Sequence, residues 1–186
     1  MKILTVAIPC YNSEAYMDKC IQSLLPAGKD IEILIVDDGS TKDRTPEIAD
    51  QYEKKYPGII RAIHQENGGH GQAVNTGIRN ATGIYFKVID SDDWADTEAL
   101  KQIVAKLKEL EKAQTPVDLF LANFIYDKVG AKHKKTIHFR GCFPTDRVFE
   151  WSEMGHMKET QYILMHNIFY RLKTLRASKT ILPKHT

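Results

Sequence analysis

The sequence is poor in cysteine, has no long apolar run, and carries no excess of one charge. Its three cysteines, Cys10, Cys20 and Cys142, are odd in number and far apart, which argues against a disulfide framework or a zinc site and indicates reduced thiols. No stretch approaches the ~18 consecutive apolar residues of a membrane-spanning helix. Met1 and Lys2 lead into a strand without an apolar leader. We therefore expect a cytoplasmic protein, with peripheral association at the inner face of the membrane as an option.

The charge balance also limits the choice of partner. Lysine and arginine number 26 against 24 acidic residues, a formal net charge of +2, so nucleic acid is not an expected partner. A hydrophobic share of 42% and a charged share of 27% are typical of a globular protein. The 186 residues are enough for one well-filled domain, or for one domain and a small appendage.

Strand-like and helix-like segments alternate through the first hundred residues. Short apolar runs at residues 3–9, 31–36, 59–64 and 85–89 have strand length, and segments with helical spacing at 13–25, 45–56 and 71–80 lie between them. This alternation predicts right-handed crossovers and a mainly parallel sheet. Ligands of such sheets bind beyond the carboxyl ends of the strands.

Polar clusters follow three of the predicted strands. They are Pro9 to Asn12, the pair Asp37 and Asp38, and the segment Asp90 to Asp93. The last cluster has three carboxylates within four residues, which repel one another unless a cation or a set of hydrogen-bond donors satisfies them. A divalent ion carrying a phosphate is the simplest solution. We expect all three clusters at one edge of the sheet.

Two other motifs that contain such acids do not match the residues at their required spacing. A calcium-binding EF-hand starting at Asp90 needs Gly and Glu where the chain has Ala95 and Lys101. A phosphatase of the haloacid-dehalogenase type has Thr or Val where Trp94 stands. A purely structural alternative stays open, in which Asp92, Asp93 or Asp96 caps the following helix.

Residues 66–77 form a glycine-rich segment between the third and fourth strands. Its glycines allow close approach of the backbone to a ligand, and the helix start offers free amides to an anion. It is not a dinucleotide fingerprint, because Val74 takes the third glycine position counted from Gly69. We predict that His70 is a loop residue rather than a metal ligand.

Four segments share their order and spacing with a known family of enzymes. They are Ile8–Asn12, Val36–Thr41, Asn67–Gly77 and Ala81–Asp93. Together they resemble the successive motifs of family 2 glycosyltransferases over roughly residues 3–96. The resemblance implies the GT-A fold, a Rossmann-like α/β three-layer sandwich with a mainly parallel central sheet. It also implies a nucleotide-diphospho-sugar donor, with a UDP-sugar expected, Mg²⁺ or Mn²⁺ as cofactor, and a glycan, lipid-linked or protein acceptor.

The resemblance further implies a set of site residues. Those implied for the nucleotide sugar are Pro9, Tyr11, Asn12, Asp37, Asp38, Gly69, Asn75, Asp90, Ser91 and Asp92. Pro9 and Tyr11 would line the base pocket, with Tyr11 stacking on the base. Asp38 would accept a hydrogen bond from the base, with Asp37 behind it. Asp90 and Asp92 would hold the ribose and the metal, and Asp93 is a further candidate metal ligand. Val74 stands where the family often has Arg, so a cationic phosphate contact is missing there.

The second half of the chain is less informative. We predict a helix at 97–113, a strand at 117–125, a solvated hairpin tip or a basic patch at 128–135, a partner strand at 136–139, and a short helix over the site at 151–157. The basic patch could attract an anionic acceptor or a membrane surface. His166 is either an acceptor-side residue or a strand histidine with a local partner. We expect residues 1–115 to bind the nucleotide sugar and 116–186 to form the acceptor side of the same domain, truncated at its carboxyl end.

A catalytic base is the missing part. The resemblance implies an Asp or Glu that deprotonates the acceptor hydroxyl, yet the last acid is Glu159, so we expect the base beyond Thr186. The predicted function is a metal-dependent, inverting glycosyltransferase. The alternatives are a truncated nucleotide-sugar-binding module without turnover and, more remotely, a metal-dependent phosphohydrolase.

Overall fold

The structure, a computed structural model, describes residues 1–127, 134–145 and 147–184. Its strands are β1 (Leu4–Cys10), β2 (Ile31–Asp37), β3 (Ile60–His64), β4 (Tyr85–Val88), β5 (Leu119–Leu121), β6 (Phe124–Tyr126), β7 (Lys135–Ile137) and β8 (Ile168–Arg171). Its α-helices are α1 (Met17–Leu24), α2 (Thr45–Lys55), α3 (His70–Asn80), α4 (Thr97–Lys112) and α5 (Leu172–Ala177). Short 3-10 helices lie at Leu25–Asp30, Trp151–Glu153 and Met165–Asn167.

Six strands form the central sheet in the order β3-β2-β1-β4-β8-β5. The pairings among β1, β2, β3 and β4 are parallel, whereas β8 is antiparallel to both β4 and β5. The prediction of a mainly parallel α/β sheet is confirmed. Strands β6 and β7 pair with each other in a separate antiparallel ribbon.

Helices cover both faces of the central sheet. Leu4, Val6 and Ile8 of β1 pack with α1 and α4 in one hydrophobic cluster, while Ala7 packs with α3 and α5 in another. Successive side chains of a strand point to opposite faces, so every residue of β1 is buried. This explains why the central strands are buried along their whole length and mostly apolar rather than alternating.

The start of α4 decides which acid caps a helix. Asp96 occupies the N-cap position, and its Oδ1 accepts a hydrogen bond from the Ala99 N–H at 2.9 Å. Asp92 and Asp93 do not cap this helix. Helix capping therefore accounts for Asp96 but not for Asp90, Asp92 and Asp93.

Several predicted boundaries were wrong. Helix α1 begins at Met17 rather than Ser13, because the Ser13 carbonyl closes a turn with the N–H groups of Tyr16 and Met17. Tyr16, an apolar position of the predicted helical segment 13–25, is exposed. The strand predicted at 117–125 is divided between β5 and β6, which belong to different sheets, because the Ala122 N–H bonds to the Asn167 carbonyl between them.

The remaining second-half predictions had mixed outcomes. The partner strand exists as β7, which begins one residue and ends two residues earlier than predicted, and it pairs with β6. The helix predicted at 151–157 is only one 3-10 turn, Trp151–Glu153, because the Gly155 N–H bonds instead to the Cys142 carbonyl. Residues 128–133 of the predicted lysine-rich tip lie outside the described residues. In the described ranges, no helix is long and apolar enough to cross a membrane.

Candidate functional site

The loop after β1 is tied to the loop after β2 by Asn12. Its backbone N–H donates to Ser40 Oγ at 2.9 Å, and its side-chain Oδ1 accepts from the N–H groups of Thr41 and Lys42 at 3.3 and 3.1 Å. Asn12 has a φ of 49°, a left-handed conformation that asparagine tolerates better than most residues. Tyr11 beside it is 50% exposed, so its ring is available to a ligand at this edge.

Asp37 lies beneath these loops at the end of β2. Its buried carboxylate accepts from the Ser40 N–H at 3.0 Å and lies 2.9 Å from His64 Nδ1. The other ring nitrogen of His64 lies 3.0 Å from Asp50 Oδ1. The pKa of His64 is raised, first by the hydrogen bond to Asp37 and further by Asp50. Asp37 is thus a support of the β2 loop.

Asp38 anchors the glycine-rich segment. Its buried carboxylate accepts from Gln65 Nε2 at 2.6 Å and from the N–H groups of Gly68 and Gly69 at 3.0 and 2.8 Å. Gly69 has a φ of 85°, a backbone conformation that glycine adopts without strain. Both carboxylate oxygens are engaged by the protein, so Asp38 positions the loop that precedes α3. Its contact with a base stays a prediction.

Asp90 contacts the start of α3 from the end of β4. Its Oδ1 lies 2.8 Å from His70 Nε2. The shared hydrogen bond is the largest cause of two opposite changes: the pKa of Asp90 is lowered and that of His70 is raised. His70, predicted as a loop residue, is the first residue of α3. Ser91 next to Asp90 joins the β1 loop through its hydroxyl, which is 2.9 Å from Ser13 Oγ.

Asp92 and Asp93 are the two acids of this segment with free carboxylates, since neither accepts a hydrogen bond from any described residue. The pKa of Asp93 is raised, first by partial burial and then by the negative charges of Asp92 and Asp90, while His166 and Lys87 act in the opposite direction. A cation beside Asp93 would relieve this repulsion.

These acids fit a divalent metal only in combination with other ligands. In the described part of the chain, no three His, Cys, Asp or Glu side chains are grouped closely enough to enclose a metal ion. Mg²⁺ commonly takes one or two carboxylates and completes its shell with waters and substrate phosphates. Asp92 and Asp93, whose oxygens are free, therefore match the part of such a shell that a protein supplies.

Asn75 is the predicted site residue whose side chain turns to another segment. Its Nδ2 donates to the Leu182 carbonyl at 2.8 Å, and its Oδ1 accepts from the Leu182 N–H at 3.0 Å. Asn75 is buried, and this double hydrogen bond fastens the segment after α5 to α3. The role in sugar binding that the resemblance implied for Asn75 stays a prediction.

Sequence reasoning missed Lys87. This buried lysine of β4 donates to the His166 carbonyl, and its ammonium lies 4.6 Å from the centroid of the Phe169 ring. Burial lowers its pKa to about 7, although Asp93 and Asp90 partly oppose the shift. A charged residue inside the apolar run Tyr85–Val88 was the sequence signal that could have revealed it.

His166 lies in the 3-10 turn before β8. Its ring makes an edge contact with Phe124 of β6, with centroids 4.9 Å apart. Its pKa is lowered, first by burial, against the attraction of Asp93. His166 therefore links the acidic segment to the β6–β7 ribbon, while its acceptor-side role remains a prediction.

The fold of this chain is of the GT-A type, as a comparison with solved structures shows. The crystal structure of Staphylococcus aureus TarS 1-349 superposes with a TM-score of 0.73 at 26% identity, covering 98% of this chain and 50% of that chain. TarS 1-349 in complex with UDP-GlcNAc matches with a TM-score of 0.67 at 25% identity, covering 99% of this chain and 49% of that chain.

The sequence comparisons agree with this class. The model described as Glycosyl transferase family 2 matches residues 5–181, so the chain belongs to that family. The uncharacterised glycosyltransferase EpsJ of Bacillus subtilis is 40% identical over 108 residues, which are 58% of this chain and 31% of EpsJ. The poly(ribitol-phosphate) beta-glucosyltransferase of Bacillus spizizenii is 41% identical over 104 residues, 54% of this chain and 16% of that protein. The chain thus spans about half of the TarS chain and less of these curated relatives.

Proposed function

We propose that this chain is the sugar-donor-binding part of a metal-dependent, inverting glycosyltransferase. The donor is a nucleotide-diphospho-sugar, with UDP as the nucleotide, and the acceptor is a hydroxyl of a glycan, a lipid-linked molecule or a protein. The observation that carries the proposal is the joining of four loops at one sheet edge. Asn12 ties the β1 and β2 loops, Asp38 ties the β2 loop to the glycine segment, and Asp90 contacts the start of α3.

The nucleotide would lie over the β1 and β2 loops. Tyr11 has the exposed aromatic face needed for stacking on a base. The amino end of α3 carries free N–H groups and the positive end of the helix dipole, which favour a diphosphate. Asp38 acts on this helix start through the glycine backbone that it holds. TarS, which has been solved with UDP and with UDP-GlcNAc, supports the choice of a uridine nucleotide.

Asp92 and Asp93 would hold Mg²⁺ or Mn²⁺, with Asp90 beside them. When bound, the metal would supply Lewis-acid stabilisation of the negative charge on the departing diphosphate. The chain's own contribution is to keep two carboxylates free of internal hydrogen bonds. His70 holds the third carboxylate, that of Asp90, in a fixed orientation.

Transfer and binding are separate parts of the proposal. We assign no catalytic base among residues 1–186, and the chain covers half of the matched TarS chain. A donor-binding module without turnover is therefore the second candidate function. It shares the nucleotide and metal site and differs only in lacking transfer activity.

The test is calorimetric titration of the 186-residue chain with UDP, GDP and dTDP, each with Mn²⁺ and with EDTA. We expect one UDP per chain, bound only with Mn²⁺. In Asp92→Asn, loss of a charged ligand should weaken binding at least about tenfold, or about 1.4 kcal/mol. Glu98→Gln on α4, which removes the same charge from an exposed side chain ion-paired with Lys101, should bind like the wild type.

Two outcomes would contradict the proposal. UDP binding of equal strength in Mn²⁺ and EDTA would remove the metal from the donor site. Tighter binding of GDP or dTDP than of UDP would show that the nucleotide is wrong while leaving the location of the site in place. Product formation with candidate acceptors then separates the enzyme from the module without turnover.

A further inference from the structure

A basic pocket lies on the β6–β7 side of the molecule, apart from the acidic edge. It has a volume of about 380 Å³ and is lined by Lys135, Thr136, Ile137, His138, Arg140, Lys158, Thr160 and Gln161. Pockets that bind small molecules have volumes of roughly 300 to 1,000 Å³. This pocket is therefore large enough for one small charged group and its immediate substituents.

The alternation along β7 and the residues after it builds one wall of the pocket. Ile137 and Phe139 are buried in a cluster with Phe143, so the side chains between and beside them face outward. His138 and Arg140 are accordingly exposed. A polar, cationic face thus results from the same period-two pattern that buries the apolar face.

Gln161 joins this wall to the opposite one. Its Nε2 donates to the His138 carbonyl at 2.7 Å, and its Oε1 accepts from the Lys158 N–H at 2.9 Å. The Gln161 N–H also donates to the Lys158 carbonyl at 2.8 Å, closing the turn. The position of Lys158 relative to the β7 wall is therefore set by hydrogen bonds.

The charges around the pocket are not neutralised. Within residues 1–127, 134–145 and 147–184, Lys135, Arg140 and Lys158 form no ion pair, and no acid lines the pocket. This contrasts with Lys134, which pairs with Asp127 at 2.7 Å. An oxyanion bound among these three side chains would therefore meet cations that no acid of the described residues neutralises.

The pocket is connected to the acidic edge through the β6–β7 ribbon. Strand β7 pairs with β6, and Phe124 of β6 contacts the His166 ring. The His166 carbonyl accepts a hydrogen bond from Lys87 of β4, the strand that leads into the acidic segment. A group held at the pocket would therefore lie against the ribbon whose other strand packs on His166.

We propose that this pocket binds an oxyanion, a phosphodiester or phosphate, carried by the acceptor of the proposed transfer reaction. The cations line a concavity, which suits a group carried by an acceptor better than a flat membrane surface. Arg140 offers a planar fork of N–H donors suited to phosphate oxygens, and the lysines add point charges. The acceptor assignment rests on the proposed function, whereas binding of the oxyanion does not.

The test uses the complete chain and follows backbone amide NMR signals during titration with dimethyl phosphate and with inorganic phosphate. We expect saturable shifts confined to residues 135–140 and 158–161. The double variant Arg140→Gln, Lys158→Gln should bind at least about tenfold more weakly. Lys54→Gln, an exposed lysine of α2 near the opposite edge of the sheet, is the matched control and should leave the shifts unchanged.

The control titrations separate this proposal from others. UDP with Mn²⁺ should bind the double variant as it binds the wild type. A wild-type protein that fails to bind UDP would therefore contradict the proposed donor site without contradicting the oxyanion pocket. Shifts spread over all surface lysines, or equal in the double variant, would overturn the proposal. Binding to phosphatidylglycerol vesicles without any response to either phosphate would also overturn it, because the cations would then serve a membrane surface.

Discussion

Asp38 gives the sharpest test of how the site is built, because its carboxylate holds the glycine segment from inside the protein. In Asp38→Ala the N–H groups of Gly68 and Gly69 lose their acceptor, and so does the side-chain amide of Gln65. A buried polar group left without a partner costs about 1–3 kcal/mol. With the Gly68 N–H buried and the Gly69 N–H partly buried, we expect a loss of about 2–4 kcal/mol in the free energy of unfolding.

Urea denaturation followed by circular dichroism measures this loss, with the midpoint shifted and the slope unchanged. Asp92→Ala is the matched control, because its exposed carboxylate accepts no hydrogen bond from the described residues. It should change stability by no more than about 0.5 kcal/mol. Both variants should lose UDP binding, Asp38→Ala through the loop and Asp92→Ala through the metal. If Asp38→Ala is as stable as Asp92→Ala, the loop is held by other contacts and this reasoning is wrong.

Three further predictions concern single side chains. The raised pKa of His64 means that its stabilising contact with Asp37 is complete below about pH 6.5 and is lost as the pH rises through the pKa of the folded state. The free energies of unfolding of wild type and His64→Gln should therefore differ more at pH 5.5 than at pH 8. An equal difference at the two pH values would contradict this prediction. The pKa of Lys87, lowered to about 7 by burial, means that the folded state releases a proton that the unfolded chain keeps. The free energy of unfolding, measured by urea denaturation, should rise between about pH 7 and 10 in the wild type and rise less in Lys87→Met. An equal rise with pH in both proteins would contradict the lowered pKa of Lys87. Asn75→Ala should free the segment around Leu182, so tryptic cleavage there should be at least about tenfold faster than in the wild type, and unchanged cleavage would show that other contacts hold the segment.

The central fold could be predicted because its strands are covered on both faces. Continuous apolar runs such as Leu4–Cys10 and Ile31–Asp37 have few alternatives once helical segments separate them. The parallel pairing of β1 with β2 and β4 is what helical connections between strands allow. The family assignment, which rested on motif order in the first half of the chain, is confirmed over residues 5–181.

The second half could not be predicted as well because its strands are short and belong to two sheets. A three-residue strand such as Leu119–Leu121 has too few positions to display a period. Whether Phe124 continues that strand or starts another depends on the bond between Ala122 and Asn167, a contact distant in sequence. Such boundaries are set by partners that no local pattern contains.

The sequence by itself determined the order of the strands and helices of the parallel core, and the presence of polar clusters where three of its strands end, two of them with acids. Those follow from hydrophobic runs and from the general placement of ligands beyond the carboxyl ends of parallel strands. Only the tertiary structure decided what each acid does. Asp38 accepts hydrogen bonds from glycine N–H groups, Asp96 caps a helix, and the Asp92 carboxylate accepts no hydrogen bond from the described residues. The three share one side-chain chemistry, and they differ because hydrogen-bond donors reach a carboxylate only after distant segments have been brought together.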